Sequence, residues 1–316
     1  MLNFKRISVF LEGGAGDHIC ATRFIPAIKE IHPNSEITAF TNTDGKTFQK
    51  ELLEILFPSF YKEIKVIPHK KYKKYIINSQ FGEEEYKGDY NNVPDEWRQE
   101  MESYDKFYNL HIDYLGWLKE DFDWLRYYRF FPRPDFQPEK SKEDYVVFHM
   151  VSSSSNDHRL DQFYINRLIK DTSKFIKVKI ISTPEINYFY KDFINYPNVE
   201  ILNVSLKEVC ATIHSAKCMF CTDSGFKYVG FSYGIPTIST SKQISAPGQP
   251  FPSHQIRWNM FPETCFPLNY DCVYISNLIK RICENKAYIL VPQLTDFENQ
   301  AIHRIFTLNK EKSILN

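Results

Sequence analysis

Short apolar runs alternate with amphipathic helical stretches along this chain, and the alternation starts twice. Ile7 to Leu11 reads as a buried strand. Ile19, Phe24, Ala27, Ile28 and Ile31 recur at helical spacing, and His32-Pro33-Asn34 stops that helix. A strand over Glu36 to Thr41, a helix over Phe48 to Leu56 and a strand over Ile64 to Ile67 follow. A polar stretch from His69 to about Asp105 reads as an irregular insertion, and Phe107 to Ile112 resumes a strand. Pro132, Pro134 and Pro138, followed by Glu-Lys-Ser-Lys, mark an exposed linker. The pattern then restarts. Strands are expected at Tyr145–Val151, Val178–Ser182, Val199–Leu202, Met219–Cys221 and Pro236–Ser239. Helices are expected at Phe163–Ile169, Glu185–Phe193, Leu206–Ala216 and Phe226–Tyr233.

Strands that alternate with helices predict parallel sheet. Two such runs around a linker predict an α/β chain of two Rossmann-like domains facing each other across a cleft, residues 1–140 and 141–316. The C-terminal segment is expected to pack back on the first domain. Ligands of such sheets sit beyond the carboxyl ends of the strands.

Composition narrows the partners. Lys+Arg and Asp+Glu are both 39, so the formal net charge is +0 and no global attraction to nucleic acid exists. No apolar run reaches the ~18 residues of a membrane span. The first residues lack a signal peptide's apolar core. Of the seven cysteines only Cys218 and Cys221 have Cys-x-x-Cys spacing, and in a strand those two point to opposite faces. These features predict a cytoplasmic protein without structural disulfides.

Gly13-Gly14-Ala15-Gly16-Asp17-His18 stands where the first strand hands over to a helix. The glycines permit a tight turn and a close approach. The dinucleotide fingerprint would need a third glycine at Ile19, so NAD binding is discounted. Asp17 reads either as a helix cap or as a carboxylate that takes a proton at a cleft. Later, Thr222-Asp223-Ser224-Gly225 opens another helix. Backbone N–H groups there suit an anion. Ser224 adds a hydroxyl, and Asp223 is again a cap or a ligand-binding group.

Taken together, the two motifs resemble glycosyltransferase family 9, the ADP-heptose:lipopolysaccharide heptosyltransferases. Gly14-Ala15-Gly16-Asp17 is followed by Thr22-Arg23, where the family's Thr matches and its Pro does not. Asp105-Lys-Phe-Tyr-Asn-Leu looks like the family's last N-domain strand. Asp223-Ser224-Gly225 and Gly234-Ile235-Pro236-Thr237 complete the ordered set. The resemblance implies a GT-B fold and an inverting, metal-independent transfer from a nucleotide-diphosphate sugar. It makes Asp17 the general base. It gives Gly14, Gly16, Asp223, Ser224 and Gly225 to the donor, with Ser152, Ser153 and Arg159 at the diphosphate and Glu185 at the ribose. The family's Pro-Met-His after Asp-Ser-Gly is here Phe226-Lys227-Tyr228. A histidine is lost, and Lys227 is expected to pair with a phosphate.

The acceptor side is read from Lys65–Tyr75, KVIPHKKYKKY, where Lys70, Lys71, Lys73 and Lys74 alternate with tyrosines. A solvated loop, an acidic lipopolysaccharide-type glycan at a membrane surface, and a hydroxylated base in DNA are the three readings. Tyr90, Trp97, Tyr104 and Tyr108 are either stacking or core aromatics. Gln249, Arg257 and Trp258 sit in a long Pro-rich loop. Rival functions on the same fold are a sugar-nucleotide epimerase or hydrolase and a non-catalytic nucleotide-sugar-binding protein.

Overall fold

Ile7, Val9 and Leu11 face one apolar cluster and Phe10 another, so the first strand, β1 (Arg6–Glu12), is covered on both faces. Such a strand belongs inside a parallel sheet with helices on either side. The computed structural model describes residues 4–42, 47–67, 93–110, 131–151, 160–241, 265–287 and 293–294. After β1 come α1 (Ala15–Thr22), α2 (Ile25–Ile31), β2 (Glu36–Asn42), α3 (Phe48–Leu56), β3 (Glu63–Ile67), α4 (Asp95–Glu102) and β4 (Lys106–Asn109). The strands form a four-stranded parallel sheet in the order β3-β2-β1-β4. Val9 stands level with Ala39 on one side and Tyr108 on the other.

Two elements of this half differ from the sequence reading. The single helix expected through Ile31 is two, α1 and α2, with a break at Arg23-Phe24. Pro26 has no N–H to give the Thr22 carbonyl, so the first helix cannot run on. Arg23, at the break, is wholly buried and its Nε donates to the Cys20 carbonyl at 2.6 Å. The stretch read as irregular carries α4, which starts after Pro94 and buries only Met101. The Ser8 hydroxyl donates to the Met101 carbonyl at 2.6 Å, which ties α4 to β1. Trp97 and Tyr104 pack edge-on against Phe40, and Tyr108 is buried.

The second half runs β5 (Phe131–Pro132), β6 (Tyr145–His149), α5 (Gln162–Ser173), β7 (Lys177–Ile181), a 3₁₀ helix (Asn187–Phe193), β8 (Val199–Leu202) and α6 (Leu206–Ser215). It continues with β9 (Cys218–Thr222), α7 (Gly225–Ser232), β10 (Thr237–Ser241), β11 (Cys265–Pro267), α8 (Cys272–Cys283) and β12 (Gln293–Leu294). Its six-stranded parallel sheet has the order β11-β10-β9-β6-β7-β8. Strands β6, β9 and β10 are buried along their whole length. Cys218 and Cys221 lie in different apolar clusters, on opposite faces of β9. The helix expected at Glu185–Phe193 is a 3₁₀ turn that starts at Asn187. Tyr190 and Phe193, three apart and both buried, suit the three-residue period.

The two halves share one core. Ile7, Val9, Ile19, Leu52 and Leu56 from the first sheet and its helices join Val209, Ile213, Met219 and Val229 from the second. The linker is largely exposed, as read, and is pinned at both sides. Asp135 accepts from the Ser59 N–H and hydroxyl at 2.8 and 2.6 Å, and Tyr233 donates to the Phe136 carbonyl at 3.0 Å. Farther along, β12 returns to pair in parallel with β5 at the start of this linker.

Candidate functional site

Chain order fixes where each sheet opens. From β1 the chain goes outward through β2 and β3, then returns to β4 on the other side. From β6 it goes outward through β7 and β8, then returns to β9 on the other side. A crevice outside the carboxyl ends forms at such a reversal. Gly13–Asp17 follows the carboxyl end of β1, and Asp223–Gly225 follows that of β9, next to the end of β6 at His149. The two motifs therefore stand at the two reversals.

The helices that begin there meet. A Cβ on Gly225 would stand 2.8 Å from the Ala15 Cβ and 3.1 Å from the Gly16 nitrogen. A Cβ on Gly16 would stand 2.5 Å from a ring carbon of Tyr228. These glycines thus let α1 and α7 touch at their N-termini. Gly225→Ala is expected to cost about 1–3 kcal/mol by overpacking against backbone that cannot yield. Urea unfolding measures it, and an unchanged midpoint would mean the two helix starts do not meet as described.

Asp17 is not the cap residue. Gly14 holds that position, and Asp17 is three residues on. Its Oδ2 accepts the Gly14 N–H at 2.7 Å, one half of a capping box. The opposite case is α6, where Ser205 and Glu208 make both halves. Gly13 makes room for the carboxylate: its φ is +94°, and a Cβ there would meet Asp17 Oδ2 at 2.5 Å. Asp17 is half-buried. The His18 ring is buried behind it, with Nδ1 3.0 Å from the Gly14 carbonyl. Burial pushes the His18 imidazole below its ordinary value, against the Gly14 carbonyl and the Asp17 charge.

On the second sheet, Asp223, Ser224 and Gly225 are half-buried. Lys227, expected to face a phosphate, lies one helical turn from Asp223 and is buried, with its ammonium bonded to the Asp223 carboxylate. Glu185 is exposed beyond the end of β7. Its carboxyl is held below the ordinary range by the Thr183 hydroxyl and by its own backbone N–H. Ser152, Ser153 and Arg159 lie outside the described residues, as do Lys70, Lys71, Lys73, Lys74, Tyr90, Gln249, Arg257 and Trp258.

One residue of this site escaped the sequence reading. His149, the last residue of β6, places Nδ1 3.0 Å from Ser224 Oγ. The Phe226 ring stands edge-on over it at 4.9 Å, and Phe48 of α3 meets Phe226 at 6.1 Å from the other half. Burial pushes the His149 imidazole down to about 4 from the ordinary 6.5. In the unfolded chain it takes up its proton near the ordinary value. The stability this burial carries is therefore complete above pH 6.5 and is lost as pH falls towards 4, by up to about 3 kcal/mol. Urea unfolding of wild type and His149→Leu across that window is expected to show the smaller pH dependence in the variant. Equal slopes would assign the acid sensitivity to other groups.

No protein-family model matches the chain, and no curated protein matches it. Solved structures do. The Escherichia coli ADP-heptose lipopolysaccharide heptosyltransferase II superposes over 89% of this chain and 99% of its own, with TM-score 0.56 and 10% identity. A family 9 glycosyltransferase from Veillonella parvula covers 98% of each chain, with TM-score 0.56 and 16% identity. A putative UDP-N-acetylglucosamine 2-epimerase from Listeria monocytogenes covers 100% of this chain and 98% of its own, with TM-score 0.50 and 9% identity. The fold is GT-B. In this GT-B chain the paired reversals at β1 and β6 are where the Asp17 and Asp223 motifs meet. No helix among the described residues is long and apolar enough to cross a membrane.

Proposed function

We propose that this chain is an inverting glycosyltransferase that moves a sugar from a nucleotide-diphosphate donor to an acceptor hydroxyl without a catalytic metal. The observation that carries the reading is the meeting of the two crevice motifs, with the Asp17 carboxylate on one side and Asp223-Ser224 on the other. The acceptor hydroxyl gives its proton to Asp17 as its oxygen attacks the anomeric carbon. The bond from that carbon to the phosphate oxygen breaks, and the nucleoside diphosphate leaves. A carboxylate has about four acceptor sites, of which the Gly14 N–H takes one at Asp17. Ser224 and the N-terminal N–H groups of α7 face the charge that develops on the leaving group. Arg159, Ser152 and Ser153 are assigned to the diphosphate and Glu185 to the ribose on the family resemblance. The neighbours named as a heptosyltransferase and as a family 9 glycosyltransferase support this reading. The acceptor assigned is a saccharide or lipopolysaccharide-type glycan, contacted through Lys70, Lys71, Lys73 and Lys74.

The epimerase neighbour supports a second reading, rearrangement of a sugar nucleotide without an acceptor. One experiment separates the two. The chain is incubated with a panel of nucleotide sugars, with and without glycan or hydroxylated-DNA acceptors. Donor turnover that requires a glycan is the expected result. Turnover without acceptor favours epimerase or hydrolase chemistry, turnover with DNA alone moves the acceptor, and binding without turnover makes the chain a binding protein.

A further inference from the structure

A serine at the residue before a helix ordinarily turns its oxygen to the N–H groups of the first turn. Ser224 occupies that place before α7 and makes no such bond. Its Oγ lies 3.0 Å from His149 Nδ1 instead. The pairing joins residues 75 apart, and it exists because β6 and β9 are neighbours, with His149 level with Cys221. His149 is only 8% exposed, while Ser224 is half-buried at the crevice. We propose that His149 is a positioning residue of the donor site: its Nδ1–H holds the Ser224 oxygen, so that the serine's own hydrogen is presented to a phosphate oxygen of the nucleotide diphosphate.

The chemistry of the pair sets this direction. A neutral imidazole carries one N–H and one lone pair. If Nδ1 offered its lone pair, Ser224 would spend its hydrogen on the ring and turn only lone pairs to an anion. With hydrogen on Nδ1, Ser224 accepts from the ring and donates outward. Phe226, backed by Phe48, covers the ring. That cover keeps the imidazole neutral, in line with its lowered pKa. The adjacent charges, Asp223 and Lys227, are bonded to each other. His149 therefore fixes the orientation of a hydroxyl and adds no charge of its own.

The proposal rests on the donor site assigned above, and its test separates the two. Titration calorimetry on the full chain with ADP, UDP, GDP, CDP and dTDP first finds which nucleoside diphosphate wild type binds. With that probe, Ser224→Ala and His149→Leu are each expected to weaken binding about tenfold, the scale of a hydrogen bond to a charged group. The double variant is expected to lose no more than either single one, since both remove one interaction. His149→Asn, whose amide can stand in for Nδ1–H, is expected to recover most of the affinity. Nitrogen NMR of the imidazole in the unliganded protein is expected to show hydrogen on Nδ1 and a shift of that signal in Ser224→Ala. Unchanged affinity in His149→Leu, additive losses, or hydrogen on Nε2 each overturn the positioning role while the donor site stands. Wild-type binding of no nucleoside diphosphate overturns the donor site and this role with it.

Discussion

Asp17→Asn is expected to lower sugar-transfer turnover by about 100-fold or more, the span of a lost general base, with little change in nucleotide affinity or melting temperature. Asparagine keeps a side-chain carbonyl oxygen for the Gly14 N–H that Asp17 holds at 2.7 Å. The start of α1 therefore survives, and so does its contact with α7. What asparagine cannot do is accept a proton as a carboxylate does. Asp17→Ala removes both abilities and is expected to cost about 1 kcal/mol of stability in addition, as lost caps do. Turnover and thermal unfolding measured on the same two variants separate base from cap. Near-wild-type turnover in Asp17→Asn would leave Asp17 as a helix-start residue and remove it from the chemistry.

That question stayed open in the sequence because one spacing serves both ends. Gly14 to Asp17 is the spacing of a capping box and also that of the Gly-x-Gly-Asp motif on which the resemblance to family 9 rests. The buried central strands posed no such difficulty, whereas the short β5, β11 and β12 were not read as strands. Cys218–Thr222 and Tyr145–His149 are apolar runs buried on both faces, and burial of that kind writes itself into composition. Helix α3 coincided with its expected bounds because its apolar face repeats cleanly. Helix α4 was hidden because one buried residue, Met101, gives no period to read. The break before α2 had a local signal, Pro26, which the run of apolar residues around it outweighed. His149 had none: it reads as one more member of a strand, and only the crossover from β8 back to β9 brings Ser224 beside it. Gly16 and Gly225 were read as allowing close approach, and each lies close against the other's helix, so close that a Cβ would clash there.

Lys227→Met is expected to destabilise the fold by about 3–5 kcal/mol, the penalty for breaking a buried ion pair from one side. The side chains of Lys227 and Asp223 are 3% and 11% exposed, so water cannot replace the lost ammonium. The pair is spaced four residues apart across the start of α7, where side chains one turn apart meet. That spacing was the local sign that the lysine has an internal partner. Methionine keeps most of the packing volume and leaves the carboxylate without its counter-charge. The double variant Lys227→Met/Asp223→Asn removes that charge as well, and it is expected to regain most of the stability in urea unfolding. The opposing possibility is a lysine that serves the donor phosphates. In that case Lys227→Met would unfold within about 1 kcal/mol of wild type, the range of an exposed pair, while nucleoside diphosphate affinity would fall. A stable variant that has lost the nucleotide, or a double variant no more stable than the single one, would therefore overturn the structural role. A destabilised Lys227→Met rescued by Asp223→Asn would make the pair an internal brace, one that fixes the carboxylate at the edge of the crevice where Ser224 turns towards His149.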